Sequence, residues 1–251
     1  MRKLMVDFSY YEDIYTFTIS GYIKIEDAQG FIERLQLTGN EFIEVNFGKV
    51  KGGNNTSDRI FRVYKVSDRS PSGNQNSETY TLYFCSEELI LSAQTKGLKS
   101  YPNKRIDQII TDILSTLKCT KIGTVEQTSG EYSFIVPNKS PFEAINWLAN
   151  YAQPSDQNFI GADMLFFENR NGYNFRSIQS MVTDTSNYYN SYNYSPQNIS
   201  STTINYDTST ILSYKMKESF DSLKMTAMGG FANKVITFDP LMRTSNVTSF
   251  N

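Results

Sequence analysis

Carboxylates, thiols, hydroxyls and glycine turns are the groups in this 251-residue chain that could do chemistry. Acid–base catalysis needs two carboxylates converging on one reacting bond, whereas the acidic pairs here, Glu12-Asp13 and Glu87-Glu88, are chain neighbours that read as solvated surface charge. The sequence contains no histidine. That removes Ser-His-Asp and Cys-His nucleophiles, histidine metal centres and the usual proton shuttle at neutral pH. Cys85 sits in a strand-like stretch and Cys119 in a helix-like one. Both read as small buried hydrophobes, and two isolated thiols support neither a disulfide framework nor a thiolate zinc site. Gly229-Gly230 reads as close backbone packing, since no phosphate loop, dinucleotide fingerprint or calcium loop is present. Asn-x-Ser/Thr triplets at Asn54, Asn138, Asn198 and Asn246 are what a chain this rich in Asn, Ser and Thr produces by composition. The expectation is a scaffold or binding protein, not an enzyme, with no catalytic, cofactor-binding or metal residues.

Charge narrows the partners. With 24 basic and 26 acidic residues the formal charge is −2, which lacks the electrostatic footprint of a nucleic-acid or anionic-membrane binder. Met1-Arg2-Lys3-Leu4 is followed at once by Asp7 and tyrosine-rich sequence, so neither a leader peptide nor membrane insertion is expected.

The elements that must position these residues are strands first. Tyr and Phe number 17 each, and such flat side chains favour a pleated, half-buried surface. Residues 1–97 are expected to form a first antiparallel barrel or sandwich. Tyr15 to Ile25 alternates by twos and predicts one long strand curved at Gly21. Asp27 to Leu35 predicts a short capped helix, Gly39-Asn40 a turn, Glu41 to Phe47 a strand with Ile43, Val45 and Phe47 on one face, and Lys51 to Asn55 a loop. Arg59 to Val66 and Glu78 to Cys85 predict two more strands, separated by a polar loop from Asp68 to Ser77.

Residues 98–182 change period and read as an α+β middle lobe. Asn103 is expected to cap a helix in which Ile106, Ile109, Ile110, Ile113, Leu114 and Leu117 share a face. Ser140-Pro141-Phe142-Glu143 is a strong helix start, with an N-cap, a first-turn proline and a glutamate able to reach back. Phe142, Ile145, Leu148, Ala149 and Ala152 form its apolar stripe; Trp147 falls off that stripe and is expected to pack on a second surface, toward the first barrel. Tyr132 to Val136 predicts a strand, and Ala162 to Phe175 a hairpin turning at Asn171-Gly172. Residues 183–210, almost without aliphatic side chains, read as a linker or as an arm that orders on a partner. Residues 211–251 open a second β unit: Ile211 to Lys217 alternates, Glu218 to Met225 can turn as a helix, and Gly229 to Asp239 is a glycine-led strand.

Four ordered stretches carry a resemblance. They are Tyr11 to Tyr15 with Ile19 to Asp27; Thr38-Gly39-Asn40-Glu41; Ser140 to Leu148; and Ser219-Phe220-Asp221 with Phe231 to Pro240. In order and spacing the chain resembles the baseplate central hub proteins of contractile-tailed, T-even-like phages. That resemblance implies an α+β, β-dominated fold: an antiparallel β-barrel, a small α/β lobe and the start of a second β-barrel. It also implies a virion protein of the tail baseplate, assembled in the host cytoplasm as a homotrimer. Its implied partners are the tail-tube protein, the central spike protein and other baseplate (wedge) proteins, and DNA would pass through without specific binding. Two like barrels per subunit would let a trimer match a hexameric tube on one side and a trimeric spike on the other. The corresponding second-barrel region ends early here, at Asn251, so that barrel is expected to be incomplete. The alternative is a receptor- or glycan-binding module of a tail or surface assembly, motivated by residues 183–210.

Overall fold

The computed structural model describes residues 4–35, 37–47, 57–72, 77–159, 161–184, 192–194, 210–211, 213–216 and 221–250. The chain divides into two compact units, Met1–Thr185 and Ser186–Asn251.

The first unit opens with β1 (Met5–Tyr11), β2 (Ser20–Asp27), α1 (Phe31–Leu35), β3 (Phe42–Phe47), β4 (Ser57–Pro71) and β5 (Glu78–Cys85). These strands form one antiparallel sheet in the order β1-β2-β5-β4-β3, curled as a half-barrel. Alternate residues build its inner face: Tyr80, Leu82 and Phe84 on β5 meet Ile25, Ile23 and Gly21 on β2, while Phe61 and Val63 close the other side. The α+β, β-dominated class read from the sequence therefore holds.

Local chemistry redraws several boundaries. The long strand expected from Tyr15 to Ile25 starts only at Ser20. Ahead of it the Asp13 carboxylate accepts from the Tyr15 N–H at 2.9 Å and the Asp13 carbonyl from the Thr16 N–H at 3.2 Å, an Asx-type turn that competes with extension. Asp27 does the capping expected of it, accepting from the Gln29 and Phe31 N–H groups, but the helix proper begins at Phe31. The polar loop expected from Asp68 begins as strand, since β4 runs on to Pro71 across a register shift that holds Asp68 at φ 57°.

The lobe follows as α2 (Glu87–Gln94), β6 (Gly97–Lys104), α3 (Ile106–Thr116), β7 (Ile122–Val125), β8 (Tyr132–Lys139), α4 (Pro141–Ala149), β9 (Met164–Asn169), β10 (Gly172–Ser177) and α5 (Ile178–Thr183). β7, β10 and β9 form a three-stranded sheet and β6 pairs with β8. The isoleucine stripe of α3 is buried as expected, together with Phe142, Ile145 and Leu148 of α4, against Phe166, Tyr173 and Phe175. Asn103 does not cap α3: it lies in β6 with φ 46°, and Arg105 holds the cap position. The hairpin turns one residue early, on Arg170-Asn171, because Asn169 pairs with Gly172 and its Oδ1 accepts from the Asn171 N–H at 2.9 Å. Trp147 does leave the main stripe, but it packs on Phe134 of β8 and on Tyr151, each ring 5.5 Å away, and not on the first sheet.

In the second unit, β11 (Asn193–Tyr194) pairs in parallel with β12 (Thr210–Ile211); α6 (Ser222–Ala227) and the hairpin of β13 (Asn233–Asp239) and β14 (Thr244–Phe250) follow. The strand expected over 211–217 is not formed at 213–216, which are irregular. The loop at 51–55, most of 183–210 and residues 217–220 lie outside the described residues. No helix among the described residues is long and apolar enough to cross a membrane.

Candidate functional site

The first sheet and the lobe meet at a buried ion pair. Glu168 of β9 is 2% exposed; its Oε1 accepts from Arg59 Nη1 of β4 at 2.8 Å, and its Oε2 accepts from the Ile19 N–H at 3.0 Å and the Ser86 hydroxyl at 2.5 Å. Arg59 Nη2 donates to the Asn169 carbonyl at 2.7 Å, while its Nε is buried without a partner. Four donors, two from Arg59 of β4 and one each from the residues just before β2 and just after β5, thus converge on the end of one lobe strand. A carboxylate so enclosed tolerates burial because its oxygens are saturated. Burial pushes the Glu168 carboxyl above its usual range, against the pull of Ser86, the Ile19 N–H and Arg59. Beside the pair, the Phe17 ring packs at a tilt against Phe142 and Phe166, centroids 5.9 and 6.3 Å away, so α4 and β9 both rest on the turn that leads into β2.

The other groups singled out in the sequence are likewise taken up by structure. Glu12 accepts from the Tyr10 hydroxyl at 2.9 Å, Glu87 pairs with Arg62 at 3.4 Å, and Glu88 accepts from the Tyr173 hydroxyl at 3.2 Å. Burial raises the thiols of Cys85 and Cys119 to about 11 and about 12, which makes them poor nucleophiles at neutral pH. Asp107 is pushed up by burial, but Arg105 and Thr128 outweigh it and hold the carboxyl below its usual range; that residue fastens the start of α3 to Thr128. Gly229 has φ 71° at the exit of α6, a left-handed helix end and not a cradle. Among the described residues no group of three or more Cys, Asp or Glu side chains is placed to hold a metal. The structure gives Glu12, Glu87 and Glu88 separate partners. What it does bring together, Arg59 and Glu168, are separated by 109 residues and carry no local motif.

The solvent side of the first sheet is lined with aromatic side chains. One tyrosine from each of four strands forms a row: Tyr11 to Tyr22 at 6.4 Å, Tyr22 to Tyr83 at 6.0 Å and Tyr83 to Tyr64 at 6.4 Å. Lys65 Nζ lies 5.1 Å from the Tyr83 ring of the row, and the Arg62 guanidinium 5.5 Å from Phe42 of β3, so cations sit over aromatic rings. Both outer strands, β1 and β3, have a neighbour on one side only among the described residues, and Met5, Val6 and Phe42 on them are about half exposed.

No protein-family model matches the chain. It is 25% identical over 166 residues to a probable baseplate hub protein, gp334, of Vibrio phage KVP40, an alignment covering 65% of this chain and 38% of that protein. The chain thus spans well under half the length of the curated relative. Among solved structures it is similar to a 43 kDa tail protein of prophage MuSo2 from Shewanella oneidensis (8% identity, TM-score 0.40, covering 66% of this chain and 48% of that one). It is also similar to the Escherichia coli c3393 protein, a component of the type VI secretion system described as resembling the T4 tail proteins gp27 and gp5 (12% identity, TM-score 0.46, covering 70% and 46%). The resemblance to baseplate hub proteins read from the sequence is matched by the curated relative.

Proposed function

We propose that this chain is a structural component of the phage virion, placed in the tail baseplate as part of its central hub. The observation that carries this reading is the 166-residue similarity to a baseplate hub protein. The chain would act as a homotrimer that adapts a hexameric tail tube to a trimeric spike of a contractile tail, with the tube, spike and wedge proteins as its neighbours. Two features support an assembling protein. Among the described residues the half-barrel ends in two open-edged strands, and unpaired strand edges invite coverage by another subunit. Its outer face carries the tyrosine row and Arg62, side chains enriched where proteins meet. A formal charge of −2 suits a ring through which DNA passes without being held. Its work would be geometric and not catalytic, a reading in keeping with Glu87, Glu12 and Glu88 serving as partners of Arg62, Tyr10 and Tyr173.

Immunogold labelling of intact virions tests the placement, and native mass spectrometry of the purified protein tests the stoichiometry. Label at the baseplate end of the tail and a three-copy particle are expected. Label on the capsid or along the tail shaft would overturn the placement; a particle of one or two copies in the presence of tube and spike proteins would overturn the trimer.

A further inference from the structure

We draw no further inference here: the strongest candidate, the row of Tyr11, Tyr22, Tyr83 and Tyr64 on the solvent face of the five-stranded sheet, carries none because nothing in the structure shows what covers it.

Discussion

Arg59 is the residue whose loss should be felt furthest along the chain. Arg59→Met removes the cation facing Glu168 and the donor to the Asn169 carbonyl, and leaves a carboxylate 2% exposed with only the Ser86 and Ile19 donors. Breaking one side of a buried pair costs about 3–5 kcal/mol. The sign with pH follows from burial. Glu168 already has its folded value raised, and without Arg59 that value rises further, so ionisation then opposes folding more strongly. The carboxyl's contribution is fully present below its unfolded value and is lost as pH rises through the folded one. Urea denaturation of the variant should show its deficit largest at alkaline pH and smallest in mild acid; a deficit equal at both would mean Glu168 is not the group left stranded. Gly21 is the second sensitive residue, for a steric reason. A Cβ there would lie 2.2 Å from the Ser9 carbonyl oxygen and 2.4 Å from Phe84 Cζ, because the Phe84 ring covers the glycine from the neighbouring strand. Gly21→Ala should cost about 3 kcal/mol as overpacking, read as a lower denaturation midpoint. Sequence alone suggested a bend at Gly21; the closeness of β1 and Phe84 is what requires glycine.

Elements with a strong period were legible, and those without one were not. The apolar stripe of α3, from Ile106 to Leu114 with Leu117 at its C-cap, and the Ser140-Pro141 start of α4 were both readable, and the Glu143 carboxylate does accept from the Ser140 N–H at 3.1 Å. α2 escaped notice because Leu89-Ile90-Leu91 is a continuous apolar run directly after a strand, which shows no helical period. β1 was hidden for the opposite reason: as an edge strand its alternation is blurred by exposed Met5, Val6 and Tyr11. The sheet–lobe joint could not be read at all, since Arg59 and Glu168 pair only through the tertiary fold. Trp147 shows how far element-level reasoning reaches. Its departure from the α4 stripe was correct from spacing, but its destination depended on where β8 lies. The indole is half-buried between Phe134 and Tyr151, so Trp147→Ala should cost about 2 kcal/mol, below the loss for a fully enclosed aromatic. As the chain's only tryptophan it reports on itself: Phe134→Ala should shift its fluorescence emission to the red and increase acrylamide quenching. An unchanged spectrum would place the indole's shelter elsewhere.

At the scale of the whole molecule the two units differ in what they bury. The first has continuous cores, in which Ile19, Phe84, Ile109, Ile145 and Phe175 are fully enclosed. In the second, every described side chain of α6 and β13 is exposed or nearly so, including Leu223 at 81%, Ile236 at 64% and Phe238 at 66%. Apolar burial is the main favourable term in folding, and a two-stranded hairpin without a covered face is marginal in water. The ladder of β13 and β14, seven residue pairs from Asn233–Phe250 to Asp239–Thr244, is therefore expected to open and close readily in the isolated chain. Hydrogen exchange read by mass spectrometry on the 251-residue protein should show peptides over 233–250 exchanging near the unprotected rate. Peptides from β2 and β5, paired along their whole length from Ser20–Cys85 to Asp27–Glu78, should remain protected far longer. Strong protection of the hairpin in the dilute, isolated chain would mean that its apolar face is already covered, and that the second unit is stabilised by contacts beyond its own two strands.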